Sequence, residues 1–206
     1  MATRGPYDKG LRKRAEILDV ALEIVAKNGY SRTTVKELAE AVGLTHNGVI
    51  YYFGSKEGLF TEILRLRDEK AKVAFELIDR DPALMPERVI DVITRNLEAP
   101  GLIELYSRLS NEASEAHHPS HEYFKNRYAI TRRLYSEGFA VLRERGLLPS
   151  SADPELLSEA LLALLDGLQT QWIYDRDRVD MQAAIAQFFA VIGLNTPASA
   201  PEVSRA

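Results

Sequence analysis

The chain has 206 residues, 46% of them hydrophobic and 27% charged, with a formal net charge of −4 and no cysteine. That is the composition of a soluble globular protein able to bury one large or two modest cores, and it excludes disulfides and thiolate metal sites. No run of about eighteen apolar residues marks a membrane span, and the opening Met1-Ala-Thr-Arg-Gly-Pro-Tyr-Asp-Lys9 lacks the apolar stretch of a secretion signal, so a cytoplasmic protein without a membrane partner is expected.

The first predicted helix covers about residues 9–28, where Ile17, Leu18, Ala21, Leu22 and Val25 recur at three- and four-residue spacing. Its opening turns hold Lys9, Arg12, Lys13 and Arg14. Cations there oppose the helix dipole by roughly 0.3–1 kcal/mol each, so helix stability does not explain them. A clamp on phosphates does, and a solvated charged face is the alternative.

Two short helices joined by a tight turn come next. Thr34 can cap the first, and Glu37, three residues on, completes a capping box. Leu38, Ala41 and Val42 give this helix an apolar face, and Gly43 supplies the positive φ of a sharp exit. Thr45 caps the second helix. Its Val49, Ile50 and Phe53 can face inward, which leaves His46, Asn47, Gly48, Tyr51 and Tyr52 outside. This is a helix-turn-helix, whose second helix enters the major groove of double-stranded DNA.

The order and spacing of these elements resemble the DNA-binding domain of the TetR family of bacterial repressors. The matching residues are Asn28-Gly29, Thr33-Thr34, Leu38-Ala39, Ala41-Val-Gly-Leu-Thr45, Phe53 and Ser55-Lys-Glu-Gly-Leu59. One position departs: the family usually has a phosphate-touching tyrosine where this chain has Ile50, and Tyr51 points about 100° further round the helix. The resemblance implies a homodimer that holds an operator and leaves it when a small-molecule effector binds the C-terminal part. Beyond residue 60 or so, the likeness extends only to helical content and length.

Ser55 starts a fourth predicted helix running to about Arg80, with Leu59, Phe60, Ile63, Leu64, Leu66 and Phe75 available for packing, and Asp81-Pro82 and Pro86 end it. Further helices are expected over about residues 86–98, broken by Pro100-Gly101, and 102–116. A long one, opened by His118-Pro119, runs to about Arg145 and closes on Gly146 and Pro149. Asp153-Pro154-Glu155 opens a helix to about Tyr174, and a last helix spans about 180–193. The Asn195–Ala206 stretch reads as a disordered tail. The expected fold is all-α with about nine helices. Residues 1–56 form a three-helix helix-turn-helix domain, and residues 57–194 a helical effector-binding and dimerisation domain.

Charge follows the same division. Residues 1–56 carry nine Lys/Arg against six Asp/Glu, a net +3, and the rest seventeen against twenty-four, a net −7. A basic module on an acidic body is expected where one end meets phosphates.

The expected DNA-binding residues are Thr34, Thr45, His46, Asn47, Gly48, Tyr51, Tyr52 and Lys56. Asn47 suits an adenine edge, Gly48 a close backbone approach, and Tyr51, Tyr52 and Lys56 suit phosphates. Tyr106, Asn111, Tyr123, Arg127, Tyr128, Gln169 and Trp172 place polar or aromatic groups on apolar helices and can line an effector pocket. As alternatives, they are core aromatics and surface polars. Leu161, Leu164, Leu165, Leu168, Phe188 and Ile192 make the last two helices apolar beyond one neighbour's needs, which suits a dimeric four-helix bundle. His117, His118 and His121 invite a metal, but Pro119 separates them, and a histidine-rich helix-start loop is the better reading. No metal, no cofactor and no catalytic motif is expected. Two other readings stay open: an architectural DNA-binding protein without an effector, and a helical enzyme or interaction module whose helix-turn-helix is structural.

Overall fold

Nine α-helices and one 3-10 turn account for the regular structure of residues 6–194, which the computed structural model describes, and no strand occurs among them. The helices are α1 (Pro6–Asn28), α2 (Val35–Ala41), α3 (His46–Phe53), α4 (Lys56–Arg80), α5 (Met85–Leu97), α6 (Pro100–Glu112), α7 (His121–Glu144), α8 (Pro154–Tyr174) and α9 (Met181–Val191). The fold is all-α, as the periodicity requires. The expected tail from Asn195 and the Phe75 side chain lie outside the described residues.

Most helix ends follow from local chemistry. Ser55 accepts the Gly58 N–H at 3.0 Å and opens α4. Asp81 accepts the Ala83 N–H and starts the 3-10 turn Pro82–Leu84, which feeds α5. Asp153 accepts the N–H groups of Glu155 and Leu156 at the head of α8, and Asp180 accepts that of Ala183 at the head of α9.

Pro100 behaves differently from the expectation. It occupies the first turn of α6, where its fixed φ is helical and its missing N–H would have no partner. It therefore starts a helix instead of only ending one, and that helix stops at Glu112, short of the expected 116.

The chain divides into two compact units, Met1–Ala71 with Asn96–Asn126, and Lys72–Arg95 with Arg127–Ala206. In the first, Ile17, Val25, Leu38, Val49, Leu59, Phe60, Ile63, Leu64 and Leu105 are all but inaccessible to solvent. The α6 helix crosses α1 here so closely that a Cβ on Gly101 would land on the main-chain oxygens of Val25 and Ala26. In the second, Met85, Phe139, Leu142, Leu161, Ile185 and Phe189 form the interior.

Candidate nucleic-acid interface

The helix-turn-helix is built by its caps. The Thr34 Oγ1 accepts the Glu37 N–H at 3.2 Å, and the Glu37 carboxylate accepts the Thr34 N–H at 2.8 Å. The Thr34 backbone N–H first, and its hydroxyl second, hold the Glu37 carboxyl below its ordinary range. Gly43 turns the chain at φ +67°, and Thr45 accepts the Gly48 N–H at 3.1 Å to start α3. Leu38, Val42 and Val49 fill the space between the two helices.

Burying Val49 leaves one face of α3 outward. Thr45, His46 and Asn47 are exposed on its first turn, with Gly48 half-exposed behind them. The His46 Nδ1 lies 3.4 Å from the Asn47 Oδ1. Tyr51 is 85% exposed, a large aromatic area for water to cover. Tyr52 is half-buried, edge-on to the Tyr51 ring at 5.5 Å. Ile50 is half-buried on a different side from Tyr51. Lys56 is exposed, and its ammonium stands over the rings of Tyr30 and Phe60 at 5.1 and 5.5 Å. Thr34 is exposed, but its hydroxyl is committed to the capping box.

The basic start of α1 is only partly available to phosphates. Lys9 and Arg12 are exposed. The Lys13 ammonium instead donates to the Val42 carbonyl at 2.9 Å and pairs with Glu16. Arg14 pairs with Glu62 of α4 and stacks on the Phe53 ring at 5.0 Å. Val42 and Glu62 are 29 and 48 residues away from their partners, so no local signal marks these two contacts.

The seven expected effector-pocket residues fall in both compact units. In the first, Tyr106 and Tyr123 are buried, each edge-on to Phe124. Arg67 stacks on Tyr106 and Arg65 on Tyr123, whose hydroxyl donates to Asp68 at 2.6 Å. The two arginines and Asp68 were not among the expected site residues. Asn111 is exposed and donates to its own helix at the Ser107 carbonyl. In the second unit the Tyr128 hydroxyl donates to Asp166, Gln169 donates to the Leu165 carbonyl, and Trp172 lies buried under Arg176. Arg127 is half-buried. An open groove of about 690 Å³ lies between the end of α8 and α9, walled by Leu168, Gln171, Tyr174, Arg178 and Ala184, and none of the seven lines it.

Of the six expected interface residues, Leu161 and Leu168 have 0% and 8% of their surface accessible, so they serve their own protomer's core and have almost nothing left to bury against a partner. Leu164, Leu165, Phe188 and Ile192 are half-exposed. Sequence periodicity marks a helix as apolar on two sides but cannot divide the residues between them. Of the histidines, His118 accepts the Ser120 N–H through Nδ1, and the His121 Nδ1 donates to the Ala113 carbonyl. No metal-binding cluster occurs among the described residues, and none of their helices is long and apolar enough to cross a membrane.

Against this geometry, residues 17–63 match the profile of bacterial regulatory proteins of the tetR family. Residues 112–193 match that of the BetI-type transcriptional repressor C-terminal domain. The HTH-type transcriptional regulator TtgR of Pseudomonas putida is 25% identical over 192 residues, spanning 86% of this chain and 88% of its own. Among solved structures, a TetR transcription regulator from Haloarcula marismortui superposes with a TM-score of 0.71 at 18% identity, covering 88% of this chain and 96% of that one. NalD, the secondary repressor of the MexAB-OprM multidrug efflux pump in Pseudomonas aeruginosa, superposes with a TM-score of 0.63 at 22% identity, covering 93% and 100%.

Proposed function

The chain belongs to the TetR family of bacterial regulatory proteins, and on that premise we propose that it is a homodimeric repressor that a small molecule releases from a palindromic operator. The observation that carries the reading is the outward face of α3. Its first turn presents His46, Asn47 and the Gly48 backbone where a recognition helix meets base edges, and Tyr51 projects beside them.

In this reading residues 1–56 supply the reading head and residues 57–194 the effector-binding and dimerisation part. Asn47 takes a base edge, Tyr51, Tyr52 and Lys56 take phosphates, and Thr34 and Thr45 hold the helices that present them. Two copies meet through Leu164, Leu165, Phe188 and Ile192, each covering what the other exposes. Effector and operator favour different states of one dimer, so each weakens the other's binding by the same factor. The chain does no catalysis of its own.

Selection from a random pool of DNA duplexes tests this directly. Two inverted half-sites, spaced by roughly one helical turn or a multiple of it, should emerge. Affinity for them should fall steeply with salt. A pool that shows no enrichment would overturn the proposal.

A further inference from the structure

Consecutive residues of α1 each reach one helix of the helix-turn-helix. Lys13 donates to the carbonyl of Val42, the C-cap residue of α2, where an unpaired carbonyl and the negative end of a helix dipole welcome a cation. Arg14 lies over the ring of Phe53, the last residue of α3, and its guanidinium pairs with the Glu62 Oε2 at 2.5 Å. The other Glu62 oxygen takes Arg65 at 3.2 Å. The Arg14 and Glu62 side chains are 36% and 28% exposed, so water screens this pair only partly. The partners therefore pin both the exit of α2 and the end of α3 to α1 and α4.

We propose that Arg14, seconded by Lys13, is a positioning residue for base reading: it sets the angle at which α3 leaves the protein and does not itself hold DNA. The proposal rests on α3 being the reading helix. A phosphate clamp and a brace make opposite demands on Glu62. If Arg14 held a phosphate, Glu62 would compete for it. Removing that carboxylate would free a cation, remove a negative charge and tighten binding. If Arg14 braces α3, removing Glu62 loosens the brace and weakens recognition of the cognate site.

The test compares the full-length wild type with Arg14→Gln, Arg14→Lys and Glu62→Ala on the selected duplex and on a random one, over a salt series. Arg14→Gln and Glu62→Ala should each lose roughly fivefold to a hundredfold on the cognate duplex, the span of one misplaced base contact, and little on the random one. The slope of log affinity against log salt should stay at the wild-type value, and Arg14→Lys, which keeps the ion pair, should recover part of the loss. A Glu62→Ala variant that binds more tightly would overturn the proposal. So would an Arg14→Gln variant that loses both duplexes equally with a slope lower by about 0.9.

Hydrogen exchange of the free proteins separates this failure from a failure of the DNA reading. Arg14→Gln should speed exchange at the α3 amides while α9 is unchanged; unchanged α3 amides would refute the brace whether or not the protein binds any duplex.

Discussion

Asn47 stands exposed on the first turn of α3. An asparagine in that place can pair with both the N6 and N7 of adenine, a contact worth about 1–3 kcal/mol of discrimination. Asn47→Ala should therefore relax preference at one operator position and leave the others alone, which binding to a panel of single-base operator variants will measure. Gly101 is a different sort of single-residue constraint. Any side chain there meets the main chain of α1. Gly101→Ala should cost about 1–3 kcal/mol through forced separation of the two helices, read as a lower urea midpoint at unchanged slope. An unchanged midpoint would mean that α6 lifts from α1 at no cost.

Caps and turns decide the short helices, and they were legible because they are local. Thr34, Glu37, Gly43 and Thr45 lie within a dozen residues: Thr34 and Glu37 satisfy each other, Gly43 makes the turn, and Thr45 takes the Gly48 N–H. The Glu37 carboxyl is held below its ordinary 4.5 by the main-chain and hydroxyl groups of Thr34. The support it gives α2 is complete above the unfolded value and is lost as the pH falls through the folded one. Amides in the first turn of α2 should lose protection on acidification below about 4.5, after correction for intrinsic rates. Glu37→Gln should show the weakened state at neutral pH with a flatter response; identical profiles for the two proteins would remove the carboxylate from the cap. Pro100 was harder to place, because the same residue that ends one helix fits the first turn of the next. Arg14 and Lys13 were not legible at all: a cation on a predicted helix looks the same whether its partner is water, a phosphate or a carbonyl brought close by the fold. The aromatic cluster was half legible: Tyr106 and Tyr123 stood out as aromatics on apolar helices, pocket or core, but their spacing could not supply Phe124, Arg65, Arg67 and Asp68 as neighbours.

Assembly belongs to the whole molecule. Leu164, Leu165, Phe188 and Ile192 keep part of their surface in a single chain, and Leu156 and Val191 are 63% and 74% exposed on the same two helices. Burying a fully exposed side chain of this kind gains about 1.5–3 kcal/mol, so Leu156 and Val191 stand to gain most of that and the four partly buried residues only a fraction of it. At the proposed interface Leu165→Asp would place an unpaired carboxylate, so the protomer should fold and the dimer should split. Sedimentation at micromolar concentration should then report a monomer whose operator affinity has collapsed; a variant that sediments as the wild type does would move the interface elsewhere. The seat of α6 on α1 has a consequence for anyone recombining regulators of this kind. The compact unit that contains the helix-turn-helix also contains Asn96–Asn126, so its natural border does not fall at one point along the chain. A hybrid spliced after residue 56 would join a foreign Val25–Gly29 surface to this protein's Gly101, and main-chain atoms in van der Waals contact leave no side chain to adjust. Grafts that carry Pro100–Glu112 along with α1 should give working sensors more often than grafts cut after residue 56.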